Sequence, residues 1–124
     1  EGGIDLVEAD YTGRVAAGRG VAVALTWASA GVPDADLRVF VHAYGPDGEL
    51  IAQHDGIPAA GARPVGTWSA GERIVDRHGL LVPFDAPPSL ALAVGLYDPA
   101  TGARRLRLGG ADAIVLGQVA VRAP

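Results

Sequence analysis

The chain has 124 residues, a formal net charge of −4 at pH 7, and neither cysteine nor methionine. That length supports one hydrophobic core, so a single domain over 1–124 is expected, and an apolar fraction of 49% excludes a disordered chain. The missing cysteines exclude disulfides, thiolate catalysis and Cys-based zinc sites.

All ten basic residues are arginine. Acids and arginines are interspersed, and the one basic cluster is Arg104-Arg105-Leu106-Arg107. Nucleic-acid binding demands a broader basic face, so no nucleic-acid partner is expected. No apolar run reaches the roughly 18 residues that span a bilayer. The missing initiator methionine reads as a processed chain or a domain of a longer protein.

Ile4 to Tyr11 reads as an edge strand: Ile4 and Leu6 alternate, then Val7, Ala9 and Tyr11 follow at period two after a slip. Gly13 to Gly20 reads as a turn. Val21 to Trp27 alternates large Val21, Val23, Leu25 and Trp27 with Ala22, Ala24 and Thr26, a strand with one strong apolar face. Gly31-Val32-Pro33-Asp34 breaks it. Leu37 to Tyr44 and Glu49 to Asp55 flank Gly45-Pro46-Asp47-Gly48 and predict a hairpin, because Pro presets φ and Gly supplies positive φ. Its first strand has two substantial faces, Leu37, Val39, Val41 and Ala43 against Arg38, Phe40, His42 and Tyr44, and so reads as central.

Residues 56 to 71 read as a long ordered loop holding Trp68. Glu72 to Val82 is a strand pattern interrupted near His78-Gly79. Pro83 to Pro88 is a turn-rich connection. Leu90 to Tyr97 is a buried strand, joined by Asp98 to Gly102 to a further strand at Arg104 to Leu108. Ala113 to Arg122 closes the chain and switches phase at Gly117, which predicts a bulge. Strands at roughly ten-residue spacing, with turn signals between them, predict an all-β fold. It is an antiparallel β-sandwich of about eight strands, immunoglobulin-like or jelly-roll.

The ordered series Leu25-Thr26-Trp27, Val39-Phe40-Val41-His42, Asp47-Gly48, Ala52-Gln53-His54-Asp55, Pro58, Pro64, Trp68, Gly71-Glu72, Asp76, Pro83, Val94-Gly95-Leu96-Tyr97-Asp98 and Thr101-Gly102 resembles a known domain. It is similar to the C-terminal soluble domain of bacterial polytopic membrane glycosyltransferases related to the protein mannosyltransferases. The resemblance covers nearly the whole chain and includes none of the membrane catalytic part. It implies a non-catalytic, extracytoplasmic accessory module, periplasmic or at the cell surface. Pro87-Pro88-Ser89-Leu90 departs from the family's Pro-Gly-x-Tyr pattern, which alters that turn.

Several polar side chains sit inside strand-like sequence. His42, Gln53, Asp55, Asp76 and His78 are the candidate polar network, with Asp55 and Asp76 placed to cap amides of the 56–71 loop, since buried polar groups need partners. Their spacing fits no compact metal-ligand motif, so neither metal nor other cofactor is expected. Trp68 reads as a core anchor or as a sugar-stacking platform. With Tyr44, His42 and Arg38 it forms the candidate ligand-binding set. Asp34-Ala35-Asp36 reads as a turn. The three serines lack a Gly-x-Ser-x-Gly elbow, so no hydrolase is expected. The expected partners are a glycan or a membrane-embedded transferase domain. The alternative is a structural subunit that self-associates through the strand edges at Ile4–Tyr11 and 113–121.

Overall fold

The computed structural model describes residues 4–29, 37–59, 61–101 and 113–124. The expected turn and strand signals at Gly31–Asp36 and Arg104–Leu108 lie outside the described residues, as does the arginine cluster.

Among the described residues, eight strands follow in order: β1 (Ile4–Tyr11), β2 (Arg14–Ala16), β3 (Gly20–Ser29), β4 (Arg38–Tyr44), β5 (Leu50–Gly56), β6 (Arg73–Leu81), β7 (Ser89–Tyr97) and β8 (Ile114–Arg122). They form two sheets, β1-β3-β6 and β2-β8-β7-β4-β5. All pairings are antiparallel except that of β2 with β8. The protein is a β-sandwich whose inner faces share one core.

β3 shows why the sheets pack. Val21, Val23, Leu25 and Trp27 are each at most 2% exposed, while Ala22, Ala24 and Thr26 fill the alternate positions. Opposite them, β4 and β7 contribute Val39, Val41, Leu92, Val94 and Leu96. Burying each such side chain stabilises the fold by about 1.5–3 kcal/mol. β4 lies between β5 and β7, so it is central as its two faces predict. The β4–β5 hairpin closes through Gly45 N–H to the Glu49 carbonyl at 2.8 Å, with Gly48 at φ +84°.

Both phase slips are β-bulges. The β1–β3 register shifts between Leu6 and Glu8, leaving Val7 as the extra residue. Ile4 and Leu6 before the bulge, and Ala9 and Tyr11 after it, then oppose the inward residues Ser29, Trp27, Leu25 and Val23. In β8, Gly117 pairs with Leu92 and Val115 with Ala93, so Leu116 is the extra residue. Gly117 has φ +153°, and the Tyr11 hydroxyl occupies the place a β-carbon would take.

Three expectations differ. The segment read as one turn, Gly13 to Gly20, holds β2, whose three residues pair with the distant end of β8; a strand that short leaves no alternation to read. β6 runs unbroken through His78-Gly79, because His78 takes an inward position and Gly79 an outward one. The strand expected to offer a pairing edge over 113–121 is covered at its C-terminal end, where β2 pairs with Ala120–Arg122, while β7 pairs with Ile114–Ala120.

Gly117→Ala should cost about 1–3 kcal/mol in denaturant unfolding, since the added methyl meets Tyr11 at a backbone angle that suits glycine. Adding Tyr11→Phe should recover part of that loss.

Candidate functional site

β6 alternates without exception: Ile74, Asp76, His78 and Leu80 point inward, and Arg73, Val75, Arg77, Gly79 and Leu81 outward. Two polar side chains therefore enter the core where the pattern calls for apolar ones. A buried carboxylate is stable only when hydrogen bonded. Asp76, 0% exposed, receives three donors. Trp27 Nε1–H reaches Oδ2 at 3.3 Å, His78 Nε2–H reaches Oδ2 at 2.6 Å, and the Ala59 amide reaches Oδ1 at 2.8 Å.

The chain of contacts continues outward. His78 Nδ1 lies 2.8 Å from His54 Nδ1, and the rings meet edge to face with centroids 5.0 Å apart. His78 spends its Nε2 proton on a carboxylate that can only accept, so one further proton between the two Nδ1 atoms makes that contact a hydrogen bond. His54 is on β5 and His78 on β6, the edge strands of the two sheets. Trp27, Asp76, His78 and His54 thus form one polar line from the core to the surface where the sheets meet.

The third donor fixes the connection between those sheets. Residues 57–59 and 61–72 belong to a strap from β5 to β6 with a short 3₁₀ turn at Val65–Thr67. Ala59 has φ +58°, a conformation that costs a non-glycine residue about 1–3 kcal/mol unless its surroundings hold it. Its amide is held by Asp76. Farther along, Val65 and Trp68 enter the core at 0% and 2% exposure, and Trp68 Nε1–H donates to the Arg63 carbonyl at 3.0 Å. Arg63 clamps Glu72 through two 2.8 Å bonds, and Glu72 also accepts the Ser69 amide. The Arg63 guanidinium, followed by that amide, lowers the Glu72 pKa to about 2.

The candidate residues therefore separate into two groups. Asp76 and His78 belong to the inter-sheet line, which gains His54 and Trp27. His42 and Asp55 lie on the opposite face of the five-stranded sheet. There His42 Nε2 is 3.8 Å from Asp55 Oδ1, and His42 Nδ1 is 2.9 Å from the Tyr44 hydroxyl. Gln53 is the cross-strand neighbour of His42 and is exposed. The Phe40 ring lies 4.7 Å from that of His42 and 6.4 Å from that of Tyr97. Phe40 is buried, His42 is 9% exposed, Tyr44 is half-buried and Arg38 is exposed. Of the four ligand-binding candidates, Trp68 stands apart. Its ring is in the core, so it offers no face to a sugar and anchors the strap instead.

Ordering of an imidazole by a carboxylate is the arrangement that activates nucleophiles in hydrolases. Here the imidazole leads to a second imidazole. Ser89 Oγ is bonded to Gln118 Oε1 at 2.7 Å, and Ser29 lies buried in β3. Among the described residues no three His, Asp or Glu side chains are grouped to hold a metal ion. Asp34-Ala35-Asp36 lies outside the described residues.

Glu72 gives the strap a defined acid sensitivity. Its carboxyl pKa is lowered in the folded state, from 4.5 to about 2. Its contribution is therefore complete above about pH 4.5 and disappears as pH falls through about 2. Thermal unfolding measured across this window should show a loss that Glu72→Gln removes, the variant being less stable at pH 6 and equal to wild type near pH 2.

No protein-family model matches the chain, and no curated protein does. Among solved structures, the chain is similar to the CARDB domain of the PF1109 protein from Pyrococcus furiosus, determined in complex with di-metal ions. The TM-score is 0.59 at 12% identity, over 100% of this chain and 98% of that one. Likeness at this identity establishes the shared β-sandwich fold.

Proposed function

We propose that the domain is a non-catalytic, extracytoplasmic module of a cell-envelope glycosyltransferase that binds glycan or packs on the membrane-embedded part. One observation carries the reading. The convergent polar groups of the described residues are spent on bracing the sandwich: Asp76 accepts three internal donors, and Arg63 and Glu72 clamp the strap. A fold whose buried carboxylate holds its own backbone is a scaffold for contact. The resemblance of its motif series to accessory domains of membrane glycosyltransferases supplies the context. Arg38 and Tyr44 are the remaining contact candidates with exposed surface.

Self-assembly through strand edges has less support. β1 is an edge strand, but the bulge at Val7 and the acids Asp5, Glu8 and Asp10 blunt it against edge pairing. β8 is covered by β7 along Ile114–Ala120, and β2 takes up its pairing at Ala120–Arg122.

Fractionation of the source cells, with detection of the native gene product by an antibody to this domain, tests the proposal. The expected result is a product far larger than 12.6 kDa in the membrane fraction. A free product near that mass would contradict it.

A further inference from the structure

Where the edges of β5 and β6 meet, a surface cleft of about 490 Å³ is lined by Arg38, His54, Asp55, Arg77 and His78, with Gly56, Gly61 and Gly79 among its other walls. Its charge runs against that of the protein. Two guanidinium groups face one carboxylate in a chain of net charge −4. Asp55 has a further neighbour in His42 on the adjacent strand β4, whose Nε2 lies 3.8 Å from its Oδ1. Neither Arg38 nor Arg77 pairs with a carboxylate among the described residues, in contrast to Arg63. Both are exposed.

The walls are shaped for access. A β-carbon at Gly61 or Gly79 would meet nothing within 4 Å, so these positions leave open space beside the arginines. The histidines are fixed from behind. Asp76 holds His78, and His78 holds His54 by its Nδ1 atom. Only the Nε2 atom of His54 is left for a ligand. Rigid support from a buried line of hydrogen bonds reduces the ordering cost of binding, and guanidinium groups recognise planar carboxylates and phosphates through paired N–H donors.

We infer that this cleft binds an anionic group, a carboxylate or phosphate carried on a sugar, through Arg38 and Arg77 with His54 alongside. The inference rests on the glycan-binding form of the function proposed above and narrows it to acidic glycans.

Titration calorimetry and amide NMR shifts on the 124-residue chain test it, with glucuronate, glucose and inorganic phosphate as probes. Wild type should bind glucuronate and phosphate, with shifts centred on Gly56, Gly61 and Gly79, and should not bind glucose. Arg38→Gln/Arg77→Gln should bind both anions at least about tenfold more weakly at an unchanged melting temperature, because both side chains are exposed. Unaltered anion binding by that variant, no anion binding by wild type, or equal binding of glucose and glucuronate would overturn the anion cleft. Equal binding of the two sugars would still leave a glycan-binding module. Arginine-dependent binding of phosphate, with neither sugar bound, would uphold the cleft and remove the glycan.

Discussion

A carboxylate without access to water must find donors or destabilise the fold by several kcal/mol. Asp76 finds three, and each comes from a different part of the chain. Trp27 ties it to the neighbouring strand of its own sheet. His78 carries the contact to the edge of the other sheet through His54. Ala59 ties it to the strap between the sheets. Removing the carboxylate would strand an indole, an imidazole and a strained backbone amide together. Asp76 therefore sets the relation of the two sheets at the β5–β6 side, while apolar packing sets their separation.

That constraint organises what surrounds it. With Ala59 held at one end and Trp68 sunk in the core, the strap between them has little freedom, and the Arg63–Glu72 clamp closes its outer side. The cleft beside His54 inherits this rigidity. Its arginines stand on strands, and its histidines are oriented by the buried line. A contact site built this way depends on the same residues that hold the fold, so fold and binding geometry are coupled.

Much of the fold was legible in the residues because it rests on local alternation. Val21 to Trp27 has a single apolar face, and the hairpin declares itself through Pro46-Asp47-Gly48. The slips at Val7 and Gly117 marked real bulges, since an extra residue moves every later side chain to the other face. β2 was hidden because a three-residue strand has no period and pairs with the far end of the chain. His78-Gly79 looked like a break because a polar residue followed by glycine resembles a turn, whereas alternation simply places one inward and one outward. The site was less legible. Asp76 as a cap for the 56–71 loop follows from the needs of buried polar groups. That His54, and not His42, would meet His78 depends on which sheet edges approach each other, and alternation within a strand carries no such information. Trp68 was ambiguous for a related reason: a loop tryptophan points inward or outward according to what the loop crosses.

The role of Asp76 as the brace between strap and sheets is tested most directly by native-state hydrogen exchange at the Ala59 amide. If Asp76 holds the strap, this loop amide exchanges as slowly as those of β3 and β6, through openings close to global unfolding. Exchange at the rate of an open loop, with the strands still protected, would contradict the account.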